Sequence, residues 1–160
     1  MRALVGGIGY RWMRDGSFGL WVTDALTGEP WLESANVEIA DLGYGALYAM
    51  QDLADRSPRL ERLILVAGVA RGRERGELYC RQWEASPESD TEVQRRVYES
   101  GAGVIDLDHL LVIANRFGAL PDEVICLELE PVEFHGGDGL SAAGAECLPR
   151  ACDMIRELLA

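Results

Sequence analysis

The chain has 160 residues, 48% of them hydrophobic and 26% charged, the balance of a globular domain that folds without a disulfide or metal staple. Its 27 Asp and Glu outnumber 15 basic residues and set the net charge at −12, a field that disfavours nucleic acid and anionic membrane surfaces. All 15 basic residues are arginine, which excludes Schiff-base, pyridoxal-phosphate and Walker-type chemistry, each of which needs a lysine.

No apolar run reaches the ~18–20 residues of a membrane span. The apolar start, Met1 to Val5, is broken by Gly6, Gly7 and Gly9 and lacks the regions of a signal peptide, so the expected compartment is the cytoplasm. No linker, repeat or low-complexity stretch divides residues 1–160, and one domain is expected.

In chain order, Arg2 to Ile8 reads as a buried strand closed by glycine. Gly9 to Gly16 is a loop, and Ser17 to Leu26 a helix with Phe18, Val22, Ala25 and Leu26 at helical spacing. Val37 to Asp41 is a second strand, Leu42 to Gly45 a turn, and Ala46 to Asp55 a helix stopped near Pro58. Leu63 to Val69 is continuously apolar, as a central parallel strand requires. Glu77 to Trp83 is polar enough for an edge strand. Ala85 to Gly103 is charged, with a short helix over Thr91–Tyr98. Asp106 to Phe117 is an amphipathic helix, Glu123 to Leu129 a strand, and Phe134 to Gly139 a glycine-rich loop. Ser141 caps a C-terminal helix to Leu159. The alternation predicts a three-layer α/β/α domain: a mostly parallel, twisted sheet with helices on both faces. Ligands on such sheets bind at the carboxyl ends of the strands.

Gly7-Ile8-Gly9-Tyr10-Arg11-Trp12 starts like a dinucleotide fingerprint, and Asp41 would suit a ribose contact. Trp12, however, stands where the third glycine must allow close helix–strand packing. The cysteines, Cys80, Cys126, Cys147 and Cys152, form no Cys-x-x-Cys pair and read as buried structural thiols.

A longer colinear pattern is more specific. Gly7-x-Gly9-x-x-x-x-x-Asp15-x-x-x-Gly19 follows the first strand, and Val37-Glu38-x-x-Asp41-x-Gly43 ends the second. Leu63 to Ala67 forms the third. Leu120-Pro121-x-Glu123-Val124 through Glu130-Pro131 comes late, followed by Gly139-Leu140-Ser141 and a helix through Leu148-Pro149. In this order the chain, from Arg2 to Leu159, resembles the maturation endopeptidases of nickel–iron hydrogenases. The resemblance implies a protein that recognises nickel already inserted in a hydrogenase large-subunit precursor and removes its C-terminal extension. It also implies three nickel-addressing positions, which fall here on Gly16, Ala67 and Gly103. None of these side chains donates to a metal, so the site is expected to be degenerate, with no metal or cofactor resident in the protein.

Neighbouring residues are candidate substitutes. Asp15 could still face the cleft and is the one catalytic candidate. His109, near Asp106 and Asp108, reads as a solvated surface residue. His135 lies with Glu133 and Asp138, a trio of ligand-type side chains. Trp12 either anchors a partner or packs on the first helix. Arg71 and Arg73 either grip an acidic segment or form a solvated turn. Three functions follow: a binding or assembly factor for the hydrogenase large subunit or its precursor, an active endopeptidase with relocated metal-sensing residues, or an unrelated small-molecule or nucleotide-binding enzyme. The partner face expected for the first comprises the Gly9–Gly19 loop, the Leu42–Gly45 turn, the Ala67–Arg75 segment and the Phe134–Gly139 loop.

Overall fold

Strands and helices alternate along the chain in the computed structural model, which describes residues 1–56 and 59–160. Pro58, the expected stop of the second long helix, lies outside the described residues. The strands are β1 (Ala3–Ile8), β2 (Val37–Asp41), β3 (Arg62–Gly68), β4 (Leu78–Gln82) and β5 (Glu123–Leu129). They form one sheet in the order β2-β1-β3-β5-β4, parallel except for β4, which runs antiparallel to β5 at the edge.

Period-two alternation sends each strand's side chains to two cores. Leu4, Ile8, Leu63, Leu65, Val124 and Cys126 pack beneath α3 (Ala46–Asp55) and α5 (Leu107–Arg116). Ala3, Val5, Ile64, Val66, Ile125 and Leu127 pack beneath α1 (Phe18–Leu26) and α6 (Ala142–Leu159). The result is the expected α/β/α sandwich, with β3, apolar from Leu63 to Gly68, at its centre. The strand order reverses between β1 and β3, which places a crevice at their carboxyl ends.

Three local departures from the sequence reading have physical causes. A short helix α2 (Trp31–Ala35) and a 3-10 turn (Arg14–Ser17) are too short to show an apolar period. Helix α4 runs from Asp90 to Gly101, longer than Thr91–Tyr98, because Ser89 caps it by accepting from the Glu92 N–H. Its polar surface is laced by pairs among Glu92, Arg95, Arg96 and Glu99, and its first turn by Arg116–Asp90. Arg95 and then Arg96 pull the Glu92 carboxyl down to about 2.

Helix α1 lies unusually close to the sheet. A β-carbon on Gly19 would stand 1.9 Å from the Val66 carbonyl, and one on Gly7 would stand 2.4 Å from the Gly19 carbonyl. Both obstacles are backbone and cannot swing aside. Gly19→Ala is therefore expected to destabilise the fold by about 2–3 kcal/mol, as overpacking against a rigid neighbour does. Urea unfolding of the variant measures it, and a loss below about 0.5 kcal/mol would show that α1 can lift freely off the sheet.

Cys126 and Cys147 are buried as expected, and burial pushes the Cys126 thiol up to about 12. Cys80 corrects the expectation: it lies exposed on edge strand β4, and Cys152 is only half-buried. Among the described residues no helix is long and apolar enough to cross a membrane.

Candidate functional site

The crevice at the carboxyl ends of β1 and β3 is filled by the chain's own backbone. A β-carbon on Gly68, the last residue of β3, would meet the Asp15 carbonyl at 2.1 Å, so the 3-10 turn seats directly on the strand end. Arg14 enters that turn at φ +47°, left-handed for a non-glycine residue. Its guanidinium bonds Glu133 at 2.6 Å and also donates to the Asp138 carbonyl, which ties the β1 loop to the loop after β5.

Asp15 does not face the cleft. It is fully buried, and its carboxylate accepts from the Val132 and Glu133 N–H groups at 2.9 and 3.1 Å, and from the Ser141 N–H and hydroxyl at 2.9 and 2.7 Å. A β-carbon on Gly144 would come within 2.6 Å of it, so only glycine in the first turn of α6 lets the carboxylate reach the helix N-terminus. Asp15 clasps the β1 loop, the β5–α6 loop and α6 into one unit. Gly16 beside it is covered by the Phe134 ring, 2.8 Å from where its β-carbon would be.

Arg71 and Arg73 are not free rim charges either. Glu128 emerges from β5 fully buried, opposite Ala67 of β3. Three guanidiniums converge on it: Arg71 at 2.7 Å, Arg73 at 3.0 Å and Arg81 at 2.9 Å. Arg71 also reaches Asp108 in α5, and Arg73 reaches Glu130 and stacks on Tyr79. Burial pushes the Glu128 carboxyl up, but the surrounding arginines outweigh it and hold it below its ordinary value. Asp108 and Glu130 are held low in the same way, by Arg71 and Arg73 respectively against burial. The knot joins the β3–β4 loop, β4, β5 and α5. A glutamate inside the apolar run of β5 was its sequence signal, since a buried charge needs partners.

His109 corrects another expectation. It is only 4% exposed, with its ring nitrogens 2.7 Å from Asp106 and from Glu99, so it pins α4 to α5. His135 is exposed and its Nδ1 faces only the neighbouring Gly136 carbonyl, at 3.0 Å. Trp12 is 66% exposed. Trp12 and Asp41 line one groove with Tyr10, Leu20 and Ile105. The Tyr10 hydroxyl donates to the Gly103 carbonyl at 2.9 Å and accepts from the Ile105 N–H at 2.7 Å, which fixes its ring as a wall. The structure thus brings Trp12 and Asp41 together and Arg71 and Arg73 together, and leaves Asp15 and His135 outside both groups.

This arrangement has close structural counterparts, although no model of a known protein family and no curated protein matches the chain by sequence. The hydrogenase 2 maturation peptidase of a Thaumarchaeota archaeon superposes with a TM-score of 0.69 at 26% identity, covering 100% of this chain and 99% of that one. Over its whole length the chain is similar to the hydrogenase maturation proteases. The fold is also that of the hydrogenase maturating endopeptidase HybD of E. coli (TM-score 0.68, 20% identity, 99% of this chain and 92% of that one). It is likewise that of the nickel–iron hydrogenase maturation protease HybD of Thermococcus kodakarensis (TM-score 0.67, 16% identity, 100% of each chain).

The nickel-addressing positions that the resemblance implies fall on Gly16, Ala67 and Gly103. Gly16 has no donor and its side-chain space holds the Phe134 ring. Ala67 is buried beside the Glu128 knot. Gly103 sits at φ +103° with its carbonyl taken by Tyr10. Among the described residues no group of three or more His, Cys, Asp or Glu side chains is placed to hold a metal ion. The residues present do not fit nickel. Phe134 and Tyr10 were missed in the sequence because an aromatic in a loop shows its neighbour only once the chain has folded.

Proposed function

We propose that this chain binds a nickel–iron hydrogenase large subunit, or its precursor, as a cytoplasmic assembly factor, and does so without reading the nickel. The supporting observation is the combination at the carboxyl end of the sheet: ligand positions emptied to Gly16, Ala67 and Gly103, inside a scaffold kept rigid by Asp15 and by the Glu128 knot. Trp12, Tyr44, Val132 and Phe134 are exposed on the loops that follow β1, β2 and β5, as a partner surface requires. The alternative, an active endopeptidase with metal-sensing moved to Asp15, His109 or His135, is disfavoured because the first two are buried with their polar atoms taken and the third stands alone.

The deciding experiment mixes purified protein with nickel-loaded precursor, isolates the complex and reads the precursor C-terminus by mass spectrometry. Co-purification of uncleaved precursor is the expected result. A shortened C-terminus would establish the endopeptidase instead, and no co-purification would remove the client. Trp12→Ala is expected to weaken capture by about 2 kcal/mol, the usual loss of a central aromatic anchor. Dialysed protein is expected to carry far less than stoichiometric nickel or zinc by plasma mass spectrometry. Near-stoichiometric nickel that disappears in Asp15→Ala would overturn the emptied-site reading.

A further inference from the structure

We infer that the groove beside Trp12 is a receptor for a basic side chain, an arginine or lysine carried by the partner segment that docks on this face. The identity of the partner rests on the client reading above; the chemistry of the groove stands on its own lining. The groove is open, holds about 350 Å3 at the carboxyl ends of β1 and β2, and has Arg11 as well as Asp41 in its lining. Two of its walls are aromatic. Tyr10 is immobilised by its two hydrogen bonds, and Trp12 offers its ring to solvent. Leu20 and Ile105 give it apolar surface for an aliphatic stem.

Asp41 supplies the charge. It is 53% exposed, and its Oδ1 accepts from the Gly43 N–H at 2.8 Å. Its Oδ2 has Arg11 as a neighbour at 3.9 Å, but that guanidinium is bound to Asp24 at 2.7 Å. A half-exposed carboxylate whose ion pair with Arg11 is long, 3.9 Å, and shared with Asp24 keeps charge to offer; set among aromatic faces, it matches a cation on a long apolar stem, which gains from both the charge and the ring faces.

The sign of the partner follows from where the arginines are spent. Those after β3, which would have gripped an acidic segment, are engaged with Glu128, Glu130 and Asp108. An acidic segment would approach Asp41 against the net charge of −12, whereas a basic one is steered toward it.

The test titrates the isotope-labelled full chain with N-acetyl-arginine amide and, separately, N-acetyl-norleucine amide, and follows the Trp12 indole N–H and the Gly43 amide by NMR. Saturable shifts with the arginine probe, at least about tenfold stronger than with norleucine and weakened by salt, are expected from a charged, aromatic-walled site. Asp41→Asn is expected to abolish that preference while leaving the norleucine response intact. Equal response to both probes, or an arginine response indifferent to Asp41→Asn, would overturn the site. The same Asp41→Asn protein is then used to capture the precursor, and reduced capture supports the role in docking. Undiminished capture would overturn that role. Failure of the wild type to capture, with the arginine titration still saturating, would dismiss the client and keep the basic-side-chain site.

Discussion

Glu128→Gln is expected to destabilise the protein by about 3–5 kcal/mol, the usual consequence of removing one partner from a buried ion-pair network. The carboxylate is completely buried, while Arg71, Arg73 and Arg81 approach it from three directions. Without its charge, guanidiniums of like sign are left facing one another around a neutral amide. Each retains some exposure, so water can relieve part of the loss, which places the expectation within that range and not above it. Denaturant unfolding of wild type and variant measures the difference; a change below about 1 kcal/mol would mean that the arginines turn out to solvent at no cost.

The same knot sets the acid limit. Glu128, Asp108 and Glu130 all bind protons less readily in the folded protein than ordinary carboxylates do. Their contribution to stability is therefore complete above the ordinary carboxylate range, near pH 4.5, and is lost as pH falls through their lowered folded values. Stability should decline with acidification below about pH 4.5, and Glu128→Gln should flatten that decline.

Asp15→Ala is expected to cost about 3–4 kcal/mol, because it strands two buried donors of Ser141 and two part-buried loop N–H groups, a buried donor being worth about 1–3 kcal/mol when left unsatisfied. The donors are the N–H groups of Val132, Glu133 and Ser141 and the Ser141 hydroxyl, on a loop and a helix N-terminus brought from more than 100 residues away. The loss should be local before it is global. Amides from Val132 to Gly144 should exchange faster with deuterium while those of β3 keep their protection, and Phe134 should lose its seat over Gly16. Unchanged exchange in that loop would show that Arg14, through Glu133 and the Asp138 carbonyl, holds it alone.

What the sequence by itself determined is what depends on neighbours within a few residues. The apolar runs of β3 and β5 placed the central strands, since burial on both faces selects apolar residues at successive positions. The polar run Leu78–Gln82 announced an edge. Asp106 and Ser141 stood three residues before the N–H groups they accept, from His109 and Gly144, so the starts of α5 and α6 were readable. The colinear glycines and the loss of donors at Gly16, Ala67 and Gly103 were legible for the same reason: they are residue identities at positions.

The tertiary structure alone decided what each charged or aromatic side chain does. Asp15 looked like a cleft carboxylate until Ser141 and the loop after β5 closed on it. His109 looked solvated until Glu99 of α4 met its ring, and Arg71 looked free until Glu128 and Asp108 met its guanidinium. Conversely, Trp12 could have packed inside but lies open, 66% exposed in the loop between β1 and α1. Arginine and carboxylate can pair across any separation in the chain, and an aromatic can bury or expose its ring at similar local cost. Their roles are fixed by which distant segment arrives beside them, and that is settled only when the two cores have packed.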